Sequence, residues 1–281
     1  MSTTNSNDSL LTKSAVWTVL CEAAHAQAID TGLEGERWEA ISEQIDGAES
    51  AMLVQLFRPL LGPLPENRPL VVGHLAQSLD GCIAQANGES HWISGEGDLD
   101  HTHRLRALCD VVLVGAETVA RDDCQLSVRR VDGPNPIRVV LDPRARLSGD
   151  RKVFQADGGR TLWVIGSDCA VPPTPHRQVE VIQLSAQAGQ FDLCSLLGLL
   201  HGRGLRRLFV EGGGITVSRF LRAGLMDRLH IAVAPILIGG GRPTIGHALG
   251  ESLADCPRPA VQIHAMGLDW LFDCDFSMTV K

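Results

Sequence analysis

The chain has 281 residues, 44% of them apolar and 21% charged, with a formal net charge of −8. That is the profile of a globular protein long enough to bury a sizeable core, not of a disordered chain. No apolar run approaches the roughly 20 residues a membrane-spanning helix needs. The opening residues carry neither a basic-then-apolar secretion signal nor an Arg-rich transit pattern, so the expectation is a cytoplasmic enzyme. Residues 1–66 hold ten acids and three bases, whereas residues 67–281 hold 23 acids and 22 bases. The acidity therefore belongs to the N-terminal segment, and the main body lacks the basic excess of a nucleic-acid-binding face.

The closest of the eight cysteines, Cys109 and Cys124, lie 15 positions apart, so no Cys-x-x-Cys or zinc-ribbon spacing exists; most read as small core residues. His101 and His103 stand at i and i+2. On a helix these point about 200° apart and cannot grip one ion together, so no metal site is expected.

In chain order, residues 10–28 carry Leu11, Ala15, Val16, Val19, Leu20 and Ala23 near a 3.6-residue period, which predicts a helix. Residues 36–45 and 51–60 predict two more. Gly62-Pro63-Leu64-Pro65 and Pro69 forbid regular structure and read as a linker. The expected division is a helical extension over 1–66 and a main domain over 67–281. From Leu70 strands and helices alternate. Strands are predicted at 70–75, 111–114, 137–141, 161–165, 180–184, 205–211, 230–234 and 271–280. Helices are predicted at 99–108, 193–201 and 216–223. Single helices between strands imply a mostly parallel α/β sheet, here with an antiparallel end.

Three segments carry polar chemistry at strand ends. Glu211 closes an apolar strand and leads through Gly212-Gly213-Gly214 into a helix. Glycines let backbone approach a ligand, and the helix's first amides suit a pyrophosphate; such turns are also common without a ligand, and Gly-x-Gly-x-x-Gly is absent. Gln77-Ser78-Leu79-Asp80-Gly81 follows the first main-domain strand and reads first as a turn. Gly88-Glu89-Ser90-His91-Trp92 offers one flat ring, either as core filling or as a stacking face. Gly115 to Asp123, with Leu126 and Arg129 beyond, follows another buried strand.

Together the segments Ser-Leu-Asp-Gly, Gly-Glu-Ser-x-Trp-Ile, Arg-Leu-Arg-Ala, Gly-x-x-Thr-Val-x-x-Asp-Asp, Pro-Ile-Arg-Val-Val-Leu-Asp and Glu-Gly-Gly-Gly, in that order, resemble the pyrimidine reductase domain of riboflavin biosynthesis over residues 68–281. The resemblance implies a dihydrofolate-reductase-like fold, a homodimer, and NADPH-dependent reduction of 5-amino-6-(5-phosphoribosylamino)uracil to its ribitylamino product. It places cofactor contacts on Ala76, Trp92, Thr118, Asp122 and the run Gly213, Gly214, Ile215, Thr216, Val217 and Ser218. Substrate contacts fall on Ser90, Arg106, Leu126, Arg129 and Glu211. Arg106 and Arg129 suit the 5-phosphate, because guanidinium forks match phosphate oxygens.

Glu211 is the candidate acid/base, with Asp80 second. Members of that family often carry lysine where His74 stands, so His74 is a further substrate-binding candidate with a charge that titrates near neutrality. No His-x-Glu with Pro-Cys-x-x-Cys is present for zinc deamination. Arg144 or Arg146 would suit a cofactor 2′-phosphate. A reductase of another pyrimidine or pterin-like substrate, and a non-catalytic nucleotide-binding protein, are the alternatives the residues leave open.

Overall fold

The computed structural model describes residues 11–25, 44–90, 93–155 and 159–277. The chain divides into two compact units, Met1–Leu64 and Pro65–Lys281. In the first, α1 (Lys13–His25) starts behind Thr12, whose hydroxyl accepts from the Ala15 amide at 3.3 Å, a helix-capping arrangement. α2 (Gly47–Phe57) runs into a short 3₁₀ turn at Arg58–Leu60. The Trp17 and Phe57 rings meet edge to face at 5.8 Å. The helix predicted over 36–45 falls mostly outside the described residues; its last residue, Ile45, bridges Leu11 as extended chain.

The second unit alternates as follows: β1 (Leu70–Ser78), β2 (Cys82–Ala84), α3 (Glu96–Leu108), β3 (Val111–Gly115), α4 (Ala116–Asp122), β4 (Ile137–Asp142), β5 (Thr161–Gly166), β6 (Val179–Leu184), β7 (Ala186–Gln187), β8 (Gln190–Phe191), α5 (Leu193–His201), β9 (Arg207–Glu211), α6 (Gly214–Arg222), β10 (Arg228–Ala234), β11 (Arg242–Pro243), β12 (Ala260–Met266) and β13 (Asp269–Asp275). Nine strands form one sheet in the order β12-β13-β10-β1-β9-β3-β4-β5-β6. All neighbours pair parallel except β13, which runs antiparallel to both β10 and β12. This is a dihydrofolate-reductase-like mixed sheet flanked by helices, with a helical segment N-terminal to it.

Alternation along the strands sorts side chains onto two faces. Val71, Leu75, Val111, Leu113, Leu208 and Val210 join Leu196, Leu200, Val217 and Phe220 of α5 and α6 in one buried cluster. The intervening residues Val72, His74, Val112, Phe209, Glu211 and His230 face the other side. Several elements differ from expectation. β12 and the short β2, β7, β8 and β11 were not predicted, and the final strand runs Asp269–Asp275 where 271–280 was predicted, positions 278–280 lying outside the described residues. The segment that follows β3 is the seven-residue helix α4. Among the described residues no helix is long and apolar enough to cross a membrane.

Candidate active site

The parallel strands β3, β9 and β1 all end on the same edge, the edge where open α/β sheets hold ligands. β9 ends at Glu211, and Gly212 and Gly213 then take φ of 88° and 58°, the left-handed region that favours glycine. α6 starts one residue later. A Cβ on Gly214 would lie 2.2 Å from the Thr244 carbonyl oxygen, so only glycine lets this helix start pack against the 243–244 chain. Cβ positions on Gly213 and Gly115 would stand 3.1 Å from Thr118 Oγ1 and 3.0 Å from Thr216 Oγ1, respectively. The starts of α4 and α6 therefore converge over the tips of β3 and β9. At the start of α6 the Thr216 amide turns back to the Gly213 carbonyl at 2.9 Å, and the amides before it stand at the positive end of the helix dipole, an arrangement suited to phosphate oxygens.

Within the expected cofactor run, Gly213, Ile215 and Thr216 reach solvent. Val217 is buried in the core, and Ser218, fully buried, donates to the Gly214 carbonyl and accepts from the Gly246 amide at 2.9 Å. Gly214, Val217 and Ser218 thus fix the helix start, while Gly213, Ile215 and Thr216 stay open at the strand tips. Ala76 and Thr118 are partly exposed and Asp122 is exposed; Trp92 lies outside the described residues.

Arg106, in the last turn of α3, meets Glu211 through a two-pronged ion pair. Nε donates to Oε2 at 2.7 Å and Nη2 to Oε1, while Nη1 donates to the Ser127 carbonyl at 2.9 Å. Expected as a phosphate ligand, Arg106 instead turns each of its three nitrogens to a protein oxygen and is only 7% exposed. Leu126 is buried with φ of 59°, an uncommon conformation for a bulky residue; the turn it makes delivers Ser127 to Arg106. Arg129 is exposed. Its amide donates to His103 Nδ1 at 2.9 Å and its guanidinium to Ser127 Oγ at 3.0 Å. Burial and the nearby Arg106 and Arg129 charges push His103 down to about 4, so it accepts as a neutral ring. Ser90 sits partly exposed on the loop after β2.

A row of polar residues crosses the same sheet face. In register, Glu211 on β9 neighbours His74 on β1, which neighbours His230 on β10, which neighbours Asp273 on β13. α3 covers the row with Asp98, His101 and Arg106. His74 Nε2 lies 2.9 Å from Asp98 Oδ1, close but off the hydrogen-bond direction, and its Nδ1 is 3.1 Å from the His230 carbonyl. Both ring nitrogens of His74 therefore face protein acceptors, and the ring is 5% exposed. His101 Nε2 meets His230 Nδ1 at 2.9 Å, and His230 Nε2 lies 3.3 Å from Asp273. The two α3 histidines thus serve separate networks. Nothing in the sequence pattern announced Asp98, His103, His230 or Asp273 as partners, because each contact joins different elements.

Asp80 accepts from Ser78 Oγ at 2.6 Å and from the amides of Ile238 and Gly239 at 3.1 and 2.7 Å. The Ser78 hydroxyl and those amides hold its carboxyl down at about 2. It clamps two loops, as the turn reading expected.

A glycine-turn helix start and a buried Arg–Glu pair meet at the tips of a dihydrofolate-reductase-like sheet, where α/β enzymes hold their ligands. Residues 69–258 match the family described as RibD C-terminal domain. A 2,5-diamino-6-ribosylamino-4(3H)-pyrimidinone 5′-phosphate reductase of Methanothermobacter thermautotrophicus is 40% identical over 180 residues, covering 62% of this chain and 81% of that protein. The protein of the same name from Archaeoglobus fulgidus is 38% identical over 191 residues, covering 63% and 86%. The crystal structure of a Thermotoga maritima diaminohydroxyphosphoribosylaminopyrimidine deaminase/5-amino-6-(5-phosphoribosylamino)uracil reductase superposes with a TM-score of 0.66 at 27% identity, covering 88% of this chain and 68% of that one. The chain belongs to the RibD C-terminal domain family and is an oxidoreductase.

Proposed function

We propose that the protein uses NADPH to reduce a phosphoribosylaminopyrimidine, opening its ribose to a ribityl chain in riboflavin biosynthesis. The observation that carries this reading is the juxtaposition of the glycine-turn helix start with the Arg106–Glu211 pair at one set of strand tips. Gly213, Gly214 and Ile215 offer backbone amides to the cofactor pyrophosphate, with Thr118 and the Thr216 side chain beside them. Arg144 and Arg146, exposed beyond β4 and without an ion-pair partner among the described residues, suit a 2′-phosphate and so favour NADPH over NADH. Bound there, the nicotinamide supplies the hydride that the ribose C1′ accepts; the protein's task is orientation and exclusion of water.

Arg129 and Ser90 hold the substrate phosphate. Arg106 anchors Glu211, which moves the proton at the opening sugar; Asp80, held ionised in its loop clamp, does not. Leu126 supports the substrate from below through the backbone of Ser127. We place the enzyme in the cytoplasm as a homodimer. The exposed apolar Val261, Ile263 and Trp270 on the β12–β13 hairpin support pairing with a second copy, since an open edge strand with apolar faces favours self-association.

The test is NADPH oxidation with the deaminated phosphoribosylaminouracil beside its 2,5-diamino counterpart. The reading expects turnover of at least one. The withdrawal of both His74 nitrogens from the cleft favours a second reading, reduction of a different heterocycle. Tight NADPH binding with neither pyrimidine consumed would establish that reading instead.

A further inference from the structure

The polar row beneath α3 holds two carboxylate–histidine contacts that look alike and differ in one respect. Asp273 already accepts from both Nε and Nη2 of Arg228, at 3.1 and 2.6 Å. Arg228 also donates through Nη1 to Asp275, at 2.7 Å, so Asp273 shares that guanidinium but meets it through two bonds before His230 is considered. His230 and His101 then share one hydrogen bond between rings, which requires the accepting ring to be neutral, and burial pushes both rings below the usual histidine range. Among the described residues no arginine pairs with Asp98. One of its oxygens takes the Ser94 hydroxyl, at 2.7 Å, and the other faces His74. On the far side of that ring, Nδ1 faces the His230 carbonyl, which can only accept. A neutral imidazole can donate from one nitrogen and would turn a lone pair on an oxygen at the other.

We propose that Asp98 is a positioning residue that holds His74 as a doubly protonated ring beside Glu211, giving the floor of the site a fixed buried cation that offers the substrate no donor. The groups facing His74 are Asp98 and His101 from α3, His230 from β10 and Glu211 from β9. Of these, the only cationic candidates besides His74 are the two imidazoles already committed to each other. The cation therefore acts through space, stabilising negative charge on Glu211 and on an anionic substrate. The titration directions agree with the geometry. Burial works against charge on His74, but the charge of Asp98, its contact and the His230 carbonyl together hold the ring above the usual histidine range. Burial, with the neighbouring imidazoles, pushes His101 well below that range. Where a mobile ammonium at this place could reach a ligand, the imidazole cannot; what it keeps is the charge, and with it a dependence on pH.

The decisive experiment is an NMR titration of the imidazole nitrogens in the full chain, which needs no substrate and so stands apart from the proposed reaction. The expected result is a His74 ring protonated at both nitrogens at pH 7.5. In Asp98→Asn the ring should lose a proton at least one pH unit lower, a tenfold or greater shift in its protonation equilibrium. A His74 that is neutral at pH 7 in the native protein, or whose titration ignores Asp98→Asn, overturns the proposal. The kinetic arm rests on the reductase reading. The alkaline fall of kcat/KM should move to lower pH in Asp98→Asn by the same interval, with NADPH affinity held within twofold. His74→Gln should lose at least tenfold in kcat/KM at pH 7.5, and His74→Lys should recover most of that loss and flatten the profile between pH 7 and 9. Lysine failing to outperform glutamine would show that the charge does nothing. Should Asp98→Asn not fold, the native titration and the glutamine–lysine comparison still decide. An inactive native enzyme with a charged His74 would sink the reaction and leave the charge pair standing.

Discussion

Replacing Glu211 by glutamine keeps the side chain's shape and removes its charge and proton affinity. In the native protein the Arg106 and Glu211 side chains are 9% and 17% exposed, and Arg106 meets both carboxylate oxygens. Breaking a buried pair by removing one charge costs about 3–5 kcal/mol, because the remaining ion stays desolvated. The glutamine carbonyl still accepts one of the two bonds, and Ser127 still accepts from Nη1, so the lower end of that range, about 3 kcal/mol, is expected. At roughly 2–4 °C per kcal/mol for a chain of this size, the melting temperature should fall by roughly 6–12 °C. The effect on chemistry should be larger. A positioned acid/base contributes about 10²–10⁴-fold, so kcat should fall by at least 10² while the Kd for NADPH changes little. Stopped-flow decay of NADPH absorbance gives kcat, and quenching of tryptophan fluorescence gives the binding constant. A kcat within threefold of native, in a variant that melts lower as expected, would refute the assignment of proton transfer to Glu211.

Gly214→Ala sets a Cβ against the Thr244 carbonyl and should weaken NADPH binding by tenfold or more, measured by isothermal titration; native affinity would show that the helix start is not the cofactor seat. Arg129→Ala should raise KM for the phosphorylated substrate about tenfold or more with kcat within a few-fold, and an unmoved KM would relocate the phosphate. Asp273→Asn takes from Arg228, 8% exposed, the nearer of its two carboxylates and leaves Asp275 at 2.7 Å, so stability in urea unfolding should fall by about 3 kcal/mol, the lower end for a broken buried pair; a loss under 1 kcal/mol would contradict that pairing.

Acid should also destabilise the fold. Burial, the largest cause in each, lowers His101, His230, His264 and His103, so below about pH 6.5 the unfolded chain binds protons the folded chain refuses. Each such histidine subtracts up to about 1.4 kcal/mol per pH unit until its folded value is passed. His74, raised, works in the opposite direction. The urea midpoint should therefore drop between pH 7 and 5, and a flat profile over that window would speak against the neutral histidines.

The sheet was legible because its central strands are unbroken apolar runs. Val111 to Val114 and Thr161 to Ile165 are buried on both faces, and no other element accommodates such runs in so few residues. β12 escaped notice because its alternation, Val261, Ile263 and Ala265 with Gln262 and His264 between them, is short and follows directly on the proline-rich turn at Pro257–Pro259. α4 escaped because seven residues hold fewer than two turns of periodicity. Of the site, Glu211 and the glycine turn were visible as a strand end meeting a helix start. The pairing of Arg106 with Glu211 joins residues 105 positions apart, and the row from Glu211 to Asp273 exists only in the register of four strands. Composition cannot show which of two aspartates meets an arginine, here Arg228 shared by Asp273 and Asp275, and that difference bears on which histidine carries a charge.

An amide-resolved NMR map of NADPH binding addresses the cleft most directly. Addition of NADPH to the isotopically labelled full chain should shift the amides of Gly213, Gly214, Ile215 and Thr216 together with Thr118, and leave those of the α5 face unmoved. Saturating shifts confined to residues away from the tips of β3 and β9 would contradict the placement of the cofactor, and the reaction built upon it.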